Sequence, residues 1–157
     1  MSDTLVIEFD YAQNAALPKL SVCEQFYKRL IWMYIFNVYV HNSNESFMYS
    51  MIEGQASKNP DSVISFIFDA LQKILIAYPS RYRRVIFFSD AAGSQNKNSS
   101  MVKFCLWCSR FFNIEIVHIF PERGHSFCQC DRNFSYFRQK TKCKERIVSV
   151  REYLSCL

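Results

Sequence analysis

The stretch RVIFFSDAAGSQNKNSSMVKFCLWCSRFFNIEIVHIF, residues 84–120, decides the fold. It opens with Arg84–Asp90, an apolar and aromatic run that is typical of a buried strand and that ends in an acid. A loop of small and amide residues covers 91–100. Helical spacing then predicts a helix over Val102–Phe112, and a last strand is predicted over Glu115–Phe120. Strands that alternate with helices indicate an α/β domain.

Three further strands are predicted before this stretch. Leu5–Asp10 is a second apolar run that ends in an acid, and a loop is expected over 11–21. Aromatic and β-branched residues predict a strand over Phe26–Val40 and another over Ser46–Ile52. The polar cluster Asn42–Asn44 lies between these two strands and favours a turn, so we expect an antiparallel hairpin.

Two more helices are predicted. Asn59 suits the N-cap of the first, and Pro60 suits its first helical position. Apolar residues recur at helical spacing from there to Pro79. The last helix is expected to follow Gly124–Ser126 and to run through Asp131 and Phe134.

The predicted order is therefore β-β-β-α-β-α-β-α, which indicates an α/β fold with a mixed sheet and helices on both faces. No internal repeat or Gly/Ser linker interrupts the chain, so residues 1–157 are expected to form a single domain. Residues 138–157 begin with the basic run RQKTKCKER and are expected to be a basic C-terminal extension. Because a core strand begins almost at Met1, we expect the chain to be part of a longer protein.

Composition excludes several classes of protein. Hydrophobic residues make up 50% of the chain and charged residues 21%, which excludes intrinsic disorder. The longest apolar run, Leu30–Val40, is interrupted by Asn37 and is too short to cross a membrane. The acidic N-terminus does not resemble a signal peptide, and seven cysteines without framework spacing indicate an intracellular, reduced protein. A net charge of +5 is compatible with a nucleic-acid partner.

Carboxylates mark the ends of two predicted strands. Asp10 and Asp90 each follow an apolar run, and sites in open α/β sheets form at the carboxyl ends of strands. Asp131 lies beyond the last strand, where it could face the same crevice. Three converging carboxylates need a cation, and Mg²⁺ prefers oxygen ligands while keeping positions for water and phosphate. Taken singly, an acid after a strand is more often a turn or cap residue, and it is the three together that favour a site.

Three blocks of sequence carry a family resemblance: FDYAQN at Phe9–Asn14, FFSDAAGSQNKN at Phe87–Asn98 and PERGHSFCQCDRNF at Pro121–Phe134. They resemble an uncharacterised transposon-derived domain of animal genomes, whose members read close to D-x-x-Q-N, S-D-x-x-G-G-Q-N-K-N and R-G-H-S-x-x-x-x-D-R-x-F-G. The resemblance extends over roughly Leu5–Phe134. It implies a ribonuclease H-like fold of the DDE transposase and integrase type.

The resemblance also implies catalytic roles. Asp10 and Asp90 correspond to the first two acids, and Asp131 to the third, together holding two Mg²⁺ or Mn²⁺ ions. His125 competes with Asp131 for the third position or assists it as a proton shuttle. Glu53 is a possible fourth acid, with a solvated loop acid as the alternative interpretation.

The chain departs from the family pattern at two glycines. Ser94 replaces the second glycine of G-G-Q-N-K-N, and Ser135 replaces the glycine after D-R-x-F. A serine at position 94 is expected to strain the loop if that position requires the freedom of glycine. Lys58 and Asn59 also stand where a glycine-containing pair is common. These changes favour a decayed copy.

Amide and basic side chains near the acids are candidates for nucleic-acid contacts. Such groups position phosphates and sugars without reading sequence, although a polar turn or a helix cap would use the same residues. The predicted set is Gln13, Asn14, Gln95, Asn96, Lys97, Asn98, Arg123 and Arg132.

The cysteines offer an alternative metal site. Cys105 and Cys108 are spaced as C-x-x-C, and Cys128 and Cys130 as C-x-C, so four thiolates could in principle bind zinc. The alternative is that buried cysteines serve as small apolar residues.

Three functions are consistent with these features. We expect a transposase-derived domain that cleaves or joins DNA phosphodiesters with divalent metal, located in the nucleus, with DNA and a second copy of the chain as partners and no membrane partner. The alternative is a catalytically decayed domain that binds nucleic acid or protein. The third is an α/β binding protein of other ancestry, with a zinc or phosphate ligand.

Overall fold

The computed structural model describes residues 3–20, 29–122 and 128–156. Within these ranges the chain forms six strands and four helices. In chain order they are β1 (Thr4–Tyr11), β2 (Ala15–Leu17), β3 (Ile31–Val40), β4 (Glu45–Ile52), α1 (Pro60–Ala77), β5 (Arg84–Phe88), α2 (Ser99–Phe112), β6 (Glu115–Ile119), α3 (Gln129–Lys142) and α4 (Val150–Leu154).

The strands form one mixed sheet, as predicted. β1 pairs antiparallel with β3 and parallel with β5, and β5 pairs parallel with β6. β3 also pairs antiparallel with β4, which confirms the predicted hairpin. Met33 of β3 is in register with Ala15 of β2 on one side and with Ile52 of β4 on the other. β2 therefore lies on the same side of β3 as β1 and continues the line of β1. The order across the sheet is therefore β4-β3-β1-β5-β6.

Helices cover both faces of the sheet, which confirms that prediction. Residues of β1 that alternate with its acids, such as Leu5 and Phe9, are buried against α1 and α2. The opposite face packs on α3 and α4, where Ile35 of β3 lies in one cluster with Phe134 and Phe137. Because successive side chains of a strand point to opposite faces, the strands contribute apolar residues to a first core under α1 and α2 and to a second core under α3 and α4. No helix in the described part of the chain is long and apolar enough to span a membrane.

Several predicted boundaries are corrected. The loop predicted over 11–21 contains β2, which exists because its backbone can pair with β3. β3 begins at Ile31 rather than Phe26, although residues 26–28 lie outside the described ranges. Helix α1 has the predicted Asn59 cap and Pro60 start. Helix α2 begins three residues early, at Ser99, because Asn98 accepts a hydrogen bond from the backbone of Met101.

The C-terminal segment packs against the fold. Residues 138–142, predicted to open a basic extension, belong to α3. Ile147 is fully buried and pairs through its backbone with Lys19 at 2.8 and 2.9 Å. The Lys19 ammonium donates to the carbonyls of Thr141 at 2.6 Å and Lys144 at 2.9 Å, where the end of a helix leaves carbonyls without partners. This segment is therefore part of the second core.

The two serines at glycine positions fit the backbone. The described non-glycine residues with a positive φ are Asn44, Ser80 and Asn113, so Ser94 takes a conformation open to any residue. Ser135 lies inside α3, where glycine would lower helix stability. The expected strain at Ser94 is therefore absent, and neither serine argues for decay.

Candidate active site

Strand pairing brings Asp10 and Asp90 to the same end of the sheet. β1 and β5 are parallel neighbours, with Glu8 in register with Phe88. Asp10 and Asp90 each lie two residues further along their own chain segments. Asp10 is the second-to-last residue of β1, at the C-terminal end of the strand as predicted, and Asp90 follows the end of β5. The two strand ends that the sequence predicted to share a site thus lie side by side.

Asp131 joins this end of the sheet through α3. It lies in the first turn of that helix, next to Cys130. The Glu8 carboxylate, one side chain before Asp10 on the same face of β1, accepts a hydrogen bond from the Cys130 backbone N–H at 2.7 Å. The start of α3 is therefore attached to the strand that carries Asp10.

Electrostatics show that Asp90 and Asp131 act on Asp10. The pKa of Asp10 is raised to about 7, mainly by burial and to a smaller extent by the negative charges of Asp90 and Asp131. The Tyr11 backbone N–H, 2.7 Å from Oδ1, and the Lys58 ammonium lower this pKa but do not restore its usual value. The Asp10 carboxyl group thus lies near two other acids, and its contacts with Tyr11 and Lys58 offset only part of the rise in its pKa.

Asn96 holds Asp90. Its Nδ2 donates to the Asp90 carboxylate in a short hydrogen bond, and the Ala92 backbone N–H lies 3.4 Å from the same oxygen. Asn96 is 2% exposed, and its Oδ1 has no hydrogen-bond partner among the residues that the structure describes. The amide therefore orients the carboxylate from inside the turn.

The other residues of the amide-rich turn divide into two roles. Asn98 caps α2, and its Nδ2 also donates to the carbonyls of Gly93 at 3.3 Å and Gln95 at 3.0 Å. The helix-cap alternative is thus correct for Asn98. Lys97 is exposed, with Nζ 5.6 Å from the centroid of the Phe120 ring. Lys97 is the charged residue of this turn, and its exposed side chain can reach a phosphate.

The other predicted site residues lie after β1, on α3 or outside the described residues. Gln13 and Asn14 are exposed in the turn after β1 and line a small pocket of about 140 Å³ beside α3. Arg132 is exposed on α3, with Nη1 3.4 Å from the side-chain oxygen of Gln129. Arg123 and His125 lie outside the described residues.

Glu53 is not brought to the crevice. It follows β4, at the edge of the sheet, and its oxygens accept from Arg29 at 3.0 Å and from the Trp32 backbone N–H at 3.2 Å. The Trp32 N–H and then Arg29 lower the pKa of Glu53. The interpretation as a locally bound loop acid is the one that the structure favours.

The four cysteines do not meet. Cys108 is buried in the core under α2, whereas Cys130 is buried on the opposite face of the sheet. Burial raises the pKa of Cys105 to about 11 and that of Cys108 to about 12, as expected for inert apolar thiols. The four-thiolate zinc site is therefore wrong. Across 3–20, 29–122 and 128–156, no group of three His, Cys, Asp or Glu side chains could hold a metal ion as placed.

Sequence reasoning missed Glu8 and the role of Lys58. Glu8 is 5% exposed and also lies 3.1 Å from Nε2 of His41. The spacing of Glu8 and Asp10, two residues apart in an apolar run, was the available signal, because it places both on one face. Lys58 donates to the Ala12 carbonyl at 3.1 Å and lies over the Tyr11 ring at 4.6 Å.

Comparison with known proteins identifies a family. The family described as "Domain of unknown function (DUF8701)" matches residues 1–144, which is most of the chain. No curated protein matches the chain. The match ends after α3 and includes Asp10, Asp90 and Asp131. The chain therefore belongs to the DUF8701 family.

Proposed function

We propose that this chain is a transposase-derived domain that cleaves or joins DNA phosphodiesters with divalent metal. One observation carries the proposal: strand pairing places Asp10 and Asp90 at the same end of the sheet, where Asp10 is partly buried and the negative charges of Asp90 and Asp131 act on it. A surface acid used only as a turn residue or cap would not be desolvated among other acids. Chemistry on chromosomal DNA would place the protein in the nucleus.

The architecture supports a ribonuclease H-like assignment. The sheet order β4-β3-β1-β5-β6, with an antiparallel hairpin beside parallel strands, is compatible with this assignment. The first two acids come from the central neighbours β1 and β5, and the third comes from a helix on one face. Active sites in such sheets form at the carboxyl ends of strands.

The donor set fits hard divalent cations. Three carboxylates offer only oxygen ligands, and their repulsion leaves negative charge for a cation to neutralise. Asp10, Asp90 and Asp131 are the residues that would hold Mg²⁺ or Mn²⁺. Bound ions would supply neutralisation of the phosphate charge and activation of the attacking oxygen.

The surrounding residues have supporting roles. Asn96 fixes the orientation of the Asp90 carboxylate before substrate binds. Lys58 places a positive charge beside Asp10, where it can also meet a phosphate oxygen. Lys97, Gln13 and Asn14 are exposed around the crevice and can contact the DNA backbone without reading its sequence.

Cleavage of supercoiled plasmid in Mn²⁺ tests this function. We expect nicking by the wild type that disappears in Asp10→Asn and Asp90→Asn, while both variants keep the wild-type circular dichroism. Asp61→Asn is the matched control, because Asp61 is exposed in the first turn of α1. Cleavage by Asp10→Asn or Asp90→Asn at the wild-type rate would refute the mechanism.

The second candidate is a non-catalytic module that binds nucleic acid. Lys58 favours this candidate, because its ammonium already places beside Asp10 part of the positive charge that a metal ion would supply. Such a module would bind DNA with the strong salt dependence of phosphate contacts but would not require metal. DNA binding without Mn²⁺ binding would identify this function.

A further inference from the structure

Strand β6 forms an open edge of the sheet. Among the residues that the structure describes, it pairs only with β5, and its register with β5 is continuous. Proteins commonly protect such an edge with proline, with lysine or with a bulge. Residues 115–119 contain none of these, and the carboxylate of Glu115 is already paired with Arg84 at 2.7 Å. The edge can therefore accept a further strand.

The backbone groups on the open side of β6 belong to Ile116 and His118. The Glu115 N–H donates to the Arg83 carbonyl at 2.8 Å, so Glu115 faces β5. Backbone groups alternate between the two sides of a strand, so Val117 also faces β5, whereas Ile116 and His118 face outward. In the described part of the chain, the N–H and C=O groups of these two residues have no hydrogen-bond partner.

An apolar groove runs beside this edge, between α2 and β6. Its volume is about 380 Å³, and Ile116 and His118 line it together with Val102 and Leu106 of α2. Val102 and Leu106 lie four residues apart and therefore share one side of the helix. They are 60% and 59% exposed, although they are apolar. The open edge thus lies next to a helix side that a partner could cover.

We propose that two copies of this chain join through β6 in an antiparallel, two-fold symmetric dimer with Val117 on the axis. In this register, Ile116 of one copy exchanges both of its backbone hydrogen bonds with His118 of the second copy, and the reverse pair does the same. Val117 needs no bond across the contact, because its backbone groups face β5. Every outward-facing backbone group of residues 116 and 118 is then bonded. The inference does not depend on the function proposed for the acids.

The groove selects a second copy rather than an unrelated strand. A peptide strand alone would bond to the edge but would leave Val102 and Leu106 exposed. A second copy brings its own α2, which packs on its own β6. Strands lie about 4.8 Å apart, so helices that each cover the outer two strands of their own copy would lie about 10 Å apart, which is a helix-packing distance. The apolar side chains of each α2 would then cover the groove of the other copy.

Sedimentation velocity of the full chain under reducing conditions tests the dimer. We expect a reversible dimer with a micromolar dissociation constant, because one strand edge and one helix side form a contact smaller than a standard interface. Leu106→Lys places two positive charges between the helices and should raise this constant about tenfold or more. Phe111→Lys is the matched control, because Phe111 is also 59% exposed on α2 but does not line the groove.

Cross-linking tests the register. Directly opposite residues that exchange no hydrogen bonds have Cα atoms about 4.5 Å apart, which suits a disulfide. Val117→Cys should therefore form a covalent dimer on mild oxidation. Ile119→Cys is the control, because its two copies would lie about 13 Å apart along the strands, although Ile119 is 38% exposed. Both variants carry Cys143→Ser, because Cys143 is an exposed thiol.

A wild type that stays monomeric throughout the micromolar range would overturn the inference. Dissociation by Phe111→Lys but not by Leu106→Lys would also overturn it and assign the contact to the other side of α2. Equal cross-linking of Val117→Cys and Ile119→Cys would refute the register about Val117. Circular dichroism checks that each variant is folded, and the comparison of Leu106→Lys with Phe111→Lys decides the matter if Val117→Cys is not.

Discussion

The carboxylate of Glu8 accepts a hydrogen bond from the backbone N–H of Cys130 at 2.7 Å, so strand β1 caps helix α3. The helix has no side-chain cap of its own, since its N-cap residue Cys128 makes no such bond. Glu8 lies on the face of β1 that carries Asp10, and Cys130 precedes Asp131. This hydrogen bond therefore helps to set the position of the third acid relative to the first.

Replacement of Glu8 tests this attachment. Glu8→Ala leaves the buried Cys130 N–H without a partner, so we expect the free energy of unfolding to fall by about 2 kcal/mol. Urea denaturation measures the change. The control is Glu115→Ala, which removes an exposed ion pair to Arg84 and should lower stability by less than about 1 kcal/mol. Equal losses in the two variants would contradict the role of Glu8.

The pKa of Asp10 predicts a pH dependence of stability. Folding raises this pKa from 3.8 to about 7, so the folded protein keeps a proton that the unfolded chain has lost. The stabilisation is complete below pH 4 and disappears as the pH rises through 7. Relative to Asp10→Asn, which cannot ionise, the wild type should lose on the order of 4 kcal/mol between pH 4 and 8. A difference that stays constant with pH would contradict the burial of this carboxyl group.

Lys58 is expected to oppose this shift. Its positive charge lowers the pKa of Asp10, so Lys58→Met should move the titration of Asp10 to higher pH. Carbon-detected NMR of the labelled carboxyl group measures the midpoint directly. Lys73→Met is the control, because Lys73 pairs with Asp69 instead. An unchanged midpoint in Lys58→Met would show that the ammonium does not act on Asp10.

Substitutions of Asn96 and Asn98 should distinguish a residue that orients Asp90 from one that stabilises α2. Asn96→Ala releases Asp90, and loss of such a supporting contact typically weakens metal binding by about 10-fold or more. Asn98→Ala removes the α2 cap and should cost about 1 kcal/mol of stability without changing Mn²⁺ affinity. Calorimetry and urea denaturation of both variants give the comparison. Equal Mn²⁺ affinities in the two variants would refute the role of Asn96.

Local sequence patterns predicted the mixed sheet with helices on both faces, and they predicted that Asp10 and Asp90 lie at strand ends. Apolar runs ending in an acid predicted both Asp10 and Asp90, because parallel strands place their ends together. The position of Asp131 could not be derived in this way, because it depends on the bond between Glu8 and Cys130, 122 residues apart in sequence. β2 was missed for a similar reason, since three residues show no periodicity and form a strand only beside β3.

Calorimetric titration of Mn²⁺ at pH 8 tests the central claim most directly, because Asp10 is then ionised. We expect saturable binding to the wild type, with up to two ions per chain, and its loss in Asp90→Asn with the fold intact. The absence of binding to the wild type, or equal binding to Asp90→Asn, would contradict the convergence of these acids on a metal.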